Sequence, residues 1–91
     1  MLEKSYRHSV NWMPALRKFL SRFNKEERTI LEALIEKIIS LNWHGLDIKK
    51  LQGYDDIFRL RKGKLRIIFY KRKAGISIIN IERRNEGTYK F

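Results

Sequence analysis

Residues 58–70 read Phe58-Arg59-Leu60-Arg61-Lys62-Gly63-Lys64-Leu65-Arg66-Ile67-Ile68-Phe69-Tyr70, and this stretch decides the fold. Apolar and basic residues alternate on either side of a glycine. A period of two marks a half-buried strand, because successive side chains point to opposite faces. Lys62-Gly63 between two such runs predicts a tight hairpin. With a two-residue turn there, Arg61 faces Lys64, Leu60 faces Leu65, Arg59 faces Arg66 and Phe58 faces Ile67. One face then collects Phe58, Leu60, Leu65, Ile67 and Phe69, is wholly apolar and has to be buried. The other collects Arg59, Arg61, Lys64 and Arg66, with Ile68 and Tyr70 beyond them.

Working outward, the spacing predicts strands over Ile57–Arg61, Lys64–Arg72 and Ile76–Glu82, with Ala74-Gly75 marking the second turn. Asn42 to Tyr54, with Gly45 and Gly53, reads as a connection. Ile30, Leu31, Leu34, Ile35, Ile38 and Ile39 recur at helical spacing and define a core helix. Asn24 followed by Glu27 is a capping-box signature for its start. Arg28 and Glu32 stand one turn apart, where opposite charges pair. A shorter helix opens at Pro14, with Met13, Leu16, Phe19, Leu20 and Phe23 along one stripe. Ser5 to Val10 suits a first strand, with Tyr6, His8 and Val10 on one face. The order is β-α-α-β-β-β: an α+β fold whose antiparallel sheet has both helices packed on one face. A length of 91 residues argues for a single domain, residues 1–91.

Composition narrows the function. Hydrophobic residues make up 43% of the chain, too many for a disordered segment. No run is long and apolar enough for a membrane span, and Met1 to Arg7 has no signal-peptide core. Without cysteine there are no disulfides or thiolate metal sites, and a reducing cytoplasm fits. His8 and His44 stand at no metal-ligand spacing, so neither metal nor cofactor is expected. The net charge is +11, with a pI near 10.3. Such an excess repels itself and suits a polyanionic partner, nucleic acid first. Between Ile57 and Ile81 stand eight basic residues and no acidic one, whereas the helix over 25–39 mixes signs. Arginines directly opposite each other weaken a sheet, so the face reads as one that awaits phosphates. The alternative is a solvated face with splayed side chains. In the tail, Arg83, Arg84, Glu86 and Tyr89 follow the last strand. Tyr89 suits either a reactive position or ring packing on the sheet.

The hairpin resembles the signature of the RelE/ParE toxins, in which an aromatic-Arg-Leu-Arg strand turns through a glycine and returns as Arg-hydrophobic-hydrophobic-aromatic. Lys50-Leu51-Gln52-Gly53 resembles the Lys-Leu-x-Gly before it, and Ile81-Glu82-Arg83-Arg84 with Tyr89 resembles the arginine-rich close. The resemblance implies a type II toxin–antitoxin toxin of the RelE branch, an endoribonuclease that cuts mRNA in the ribosomal A site. There the 2′-hydroxyl attacks the adjacent phosphate without metal, leaving a cyclic phosphate and a 5′-hydroxyl. It also implies an acidic antitoxin partner.

Carried onto this chain, the catalytic positions are Arg59, Arg61, Arg66, Arg83 and Tyr89, with Arg84 as the alternative to Arg83. The RNA-binding positions are Lys49, Lys50, Lys62, Lys64 and Arg84. The chain departs from the pattern at Ile81-Glu82, where the family more often has histidine. Arginines also replace lysines seen in some members. Since arginine stays protonated, this puts more weight on Tyr89 as the base or removes base catalysis altogether. Two other readings compete: a ParE-like inhibitor of DNA gyrase, and a non-catalytic basic RNA-binding module.

Overall fold

The computed structural model describes residues 14–73 and 75–84; the expected strand at Ser5–Val10 and the tail residue Tyr89 lie outside them. The chain divides into two compact units, Met1–His44 and Gly45–Phe91. The first holds two helices and the second a four-stranded antiparallel sheet, so the fold is α+β.

In the first unit, α1 spans Pro14–Leu20 and α2 spans Lys25–Ile39. The capping box forms: Glu27 N donates to Asn24 Oδ1 at 2.8 Å, and Asn24 N donates to Glu27 Oε1 at 3.1 Å. Two N–H groups that the helix cannot satisfy internally are thereby paired. Arg28 turns backward, Nη1 donating to Phe23 O at 2.8 Å, rather than forward to Glu32. That contact ties the inter-helix turn to α2. The buried stripe of α2 is Leu31, Leu34, Ile35 and Ile38, narrower than the spacing suggests. Ile30, at its margin, is 43% exposed.

At its C-terminus Leu41 adopts φ 62°. Leu41 N donates to Ile38 O and Asn42 N to Lys37 O, the two bonds of a Schellman closure. Glycine usually holds that left-handed position, since a Cβ there is strained. Trp43 Nε1 also donates to Ile38 O at 3.1 Å.

In the second unit the strands are β1 (Asp47–Lys50), β2 (Ile57–Lys62), β3 (Leu65–Arg72) and β4 (Gly75–Arg83), in spatial order β1-β2-β3-β4. The segment read as a connection therefore contains a strand. Asp-Ile-Lys-Lys carries no apolar alternation, and its pairing comes from the backbone groups that the edge of β2 offers. A turn at Leu51–Tyr54 follows, with Tyr54 N donating to Leu51 O and Gly53 at φ 89°. Those are the marks of a type II turn, which needs glycine at its third residue.

The central hairpin pairs Leu60 with Ile67, Arg61 with Arg66 and Lys62 with Leu65. Its loop is Gly63-Lys64, one residue later than Lys62-Gly63. Gly63 takes φ 57° at the first loop position and Lys64 does not have positive φ, the pattern of a type II′ turn. The pairing thus slides by two residues. A shift of two preserves parity, so the division into an apolar and a basic face survives while individual partners change. Gly75 already belongs to β4, paired with Arg72.

One face buries Leu60, Leu65, Ile67, Phe69, Ile78 and Ile81. Phe58 stacks on Phe69 with ring centroids 5.6 Å apart. Strict alternation would split Ile78 from Ile81. A bulge resolves this: Ile68 pairs with Asn80 but Phe69 with Ile78, leaving Ile79 over.

Candidate nucleic-acid interface on the sheet

The opposite face of the sheet gathers the arginines. Following the register across all four strands gives a row Asp47–Arg61–Arg66–Glu82. The next row is Lys49–Arg59–Ile68–Asn80. Adjacent strands lie about 4.8 Å apart, so members of a row are direct neighbours. Two like-charged pairs therefore face each other, Arg61 with Arg66 and Lys49 with Arg59. The expected Arg59–Arg66 opposition is replaced, because the shifted loop places Arg59 across from Ile68. Ile68 at the centre is fully buried.

The face is not purely basic. Asp47, from the unforeseen strand β1, reaches both arginines of β2. Its Oδ1 lies 3.3 Å from Arg59 Nη1 and its Oδ2 lies 3.6 Å from Arg61 Nε. The Asp47 carbonyl also accepts from Arg59 Nη1 at 3.4 Å. Arg59 keeps only 16% of its side chain exposed, against 39% for Arg61. At the other border Glu82 accepts from Asn80 Nδ2 at 3.0 Å. The first row therefore has a cationic middle and acidic ends, while the second carries Lys49 at its β1 end and apolar Ile68 beside Arg59. Asp47 escapes notice in the sequence because it stands 12 residues before Arg59 in a segment without strand pattern.

The remaining positions scatter. Lys49 shares the arginine face. Lys50 lies across from Phe58 and Lys62 across from Leu65, both at apolar-face parity, although both are exposed. Lys64 sits in the loop instead of opposite Arg61. Arg83 pairs with Leu65 and so belongs to the apolar-face column. Arg84, just past β4, is exposed, and its N–H donates to Lys64 O at 2.6 Å. Of the two tail arginines, Arg84 is thus fixed beside the hairpin loop. Tyr89 lies outside the described residues.

At the far end of β3, Tyr70 and Arg72 follow Arg66 on the same face. The Arg72 guanidinium carbon sits 4.2 Å from the Tyr70 ring centroid, and its Nε donates to Asp56 Oδ2 at 2.8 Å. The hydrogen bond and charge of Asp56 raise the pKa of Arg72 above its usual value. Among the described residues no group of three or more His, Asp or Glu is placed to hold a metal ion, and no helix is long and apolar enough to cross a membrane.

Fold and face together define a small α+β protein with a guanidinium-lined antiparallel sheet. No protein-family model matches the chain, and no curated protein does. One chain of the RelB–RelE antitoxin–toxin complex from Methanococcus jannaschii is similar in structure, with a TM-score of 0.66 and 25% sequence identity. The match covers 79% of this chain and 87% of that one. The chain carries a fold found in a toxin–antitoxin complex.

Proposed function

We propose that the chain is the toxin of a type II toxin–antitoxin pair and an endoribonuclease that cuts mRNA on the ribosome, in the cytoplasm. The observation that carries this is the pair of rows that sets Arg59, Arg61 and Arg66 side by side, on a fold shared with a chain of a RelB–RelE complex. Like charges held opposite each other cost stability. An RNA phosphate between them turns that repulsion into attraction.

The chemistry needs few parts. The 2′-oxygen attacks the adjacent phosphorus, the bond to the 5′-oxygen breaks, and a 2′,3′-cyclic phosphate remains. Arg59, Arg61 and Arg66 stabilise the extra negative charge of the phosphorane. Tyr89 takes the 2′-hydroxyl proton as phenolate, and the departing 5′-oxygen takes a proton from solvent water. A free phenol has a pKa of about 10, so the reading requires guanidinium groups close enough to Tyr89 to favour its ionised form. Arg84, beside the hairpin loop, is better placed than Arg83 to serve the same face. A short acidic antitoxin, folding as it binds, would mask the cationic columns.

The test maps RNA ends after incubation of purified protein with a short single-stranded RNA, and with mRNA on ribosomes. A 2′,3′-cyclic phosphate end is the expected product, undiminished by EDTA in the ribosome-free assay. Tyr89→Phe should lower the rate by about 10²–10⁴ with little change in binding. The non-catalytic binding module draws on one observation, that all three arginines sit on strands β2 and β3 of the sheet. Binding without any cleavage would select it. Blocked gyrase supercoiling without RNA cleavage would select the ParE-like reading.

A further inference from the structure

The carboxylate of Asp47 stands where a phosphate would. Each of its oxygens addresses a different arginine, Oδ1 to Arg59 and Oδ2 to Arg61. A bridging phosphate oxygen pair would present itself in the same way. Both contacts are long, 3.3 and 3.6 Å, where a well-formed charge-assisted bond measures about 2.7–2.9 Å. The Asp47 side chain is 43% exposed, so water competes for it. Partly exposed ion pairs of this kind contribute little to stability. β1, which carries Asp47, is a four-residue strand that, among the described residues, pairs with β2 alone. Such a pair is poorly suited to holding the fold and well suited to being exchanged.

We infer that Asp47 is a positioning residue that holds Arg59 and Arg61 together in the free protein and surrenders them to an incoming RNA phosphate, setting the affinity of the face. This rests on the RNA reading above. The occupied state has two costs for RNA: the arginines leave a partner, and the carboxylate stays nearby as a like charge. Repulsion between a carboxylate and a phosphate about 7 Å apart in water corresponds to about threefold in affinity. Glu82 borders the other end of the same row. With acid at both ends, attraction for phosphate concentrates over Arg61 and Arg66 in the middle.

The experiment measures the affinity of a short single-stranded RNA over a series of salt concentrations, for the full chain and three variants. Asp47→Asn should bind at least about threefold more tightly, with a salt slope steeper by up to about 0.7 as the released cations meet phosphate. Asp47→Glu keeps the charge and should bind like the unaltered chain. Asp55→Asn makes the same change in net charge at an exposed position outside the two rows, and should leave affinity within about 1.5-fold. Unchanged or weaker binding in Asp47→Asn overturns the inference, as does equal tightening in Asp55→Asn, which would trace the effect to net charge alone. A purely structural role would show as a lowered melting temperature without tighter binding, and that also overturns it. If the unaltered chain binds no RNA, or binds it equally with Arg59→Gln, the RNA reading itself fails, which is a different result from a failure of Asp47.

Discussion

Helix α2 and the arginine face of the sheet handle charge in opposite ways. On α2, the exposed Lys25, Glu26, Glu32 and Lys37 mix signs, and acidic residues occupy the first turn with Lys37 in the last. Each choice favours the helix dipole. On the sheet, Arg61 faces Arg66 and Lys49 faces Arg59, pairings that favour separation. The row of Arg61 and Arg66 also sets Asp47 across from Arg61 and Glu82 across from Arg66, so the contrast with α2 is confined to the central arginines, which are the groups the proposed RNA partner would engage.

That contrast can be broken by variants, beginning with the largest effect. Ile35 is fully buried in α2, so Ile35→Ala should destabilise by about 2–5 kcal/mol, read by urea unfolding, with RNA affinity per folded molecule unchanged. A drop in intrinsic affinity would tie α2 to the binding surface. The double change Arg59→Gln and Arg66→Gln should weaken RNA binding by about a hundredfold, and flatten the salt slope by about 1.4. Filter binding at several salt concentrations reads both; an intact slope would place the phosphates elsewhere.

Caps are the next test. Asn24→Ala removes the acceptor for Glu27 N and should cost about 1 kcal/mol in thermal or chemical unfolding. Leu41→Gly, by relieving a side chain at φ 62°, should stabilise by up to about 1 kcal/mol. The smallest effect is the most pointed. Arg66→Gln alone should change stability by no more than about 0.5 kcal/mol, because Arg66 stands across from Glu82 as well as Arg61, while weakening RNA binding. If it destabilises by more than that, the arginine face is a structural device and the contrast with α2 disappears.

Parity explains why the face, though not its pairs, could be read from the residues. Alternation over Phe58–Tyr70 sorts apolar from basic whichever two-residue loop is chosen, because the candidate registers differ by an even step. The choice between loops hangs on the φ of Gly63, which alternation does not encode. The α2 core was legible from spacing and its start from Asn24 and Glu27, both local signals. Arg28 illustrates a local signal overruled: a backbone carbonyl at Phe23 lies closer to hand than Glu32. β1 had no pattern to read, since only Ile48 of its four residues is even half-buried. Asp47 went unseen with it, and so did the acidic border on that side. Of the tail arginines the sequence favours Arg83 with Arg84 as the alternative, whereas the ladder sends Arg83 to the column of Leu65.

The surplus residue Ile79 has a consequence for shape. Because Ile78 pairs with Phe69 and Asn80 with Ile68, deleting Ile79 would leave each of these partnerships in place and close the ladder into a regular one. What would go is the bend and the extra twist that a bulge gives its strand. Curvature and chemical content are therefore set independently in this sheet: one residue decides how far the border carrying Asn80 and Glu82 turns, without altering which groups the surface displays. A flexible single strand, whose phosphates follow whatever contour they meet, is the kind of ligand for which such an adjustment matters.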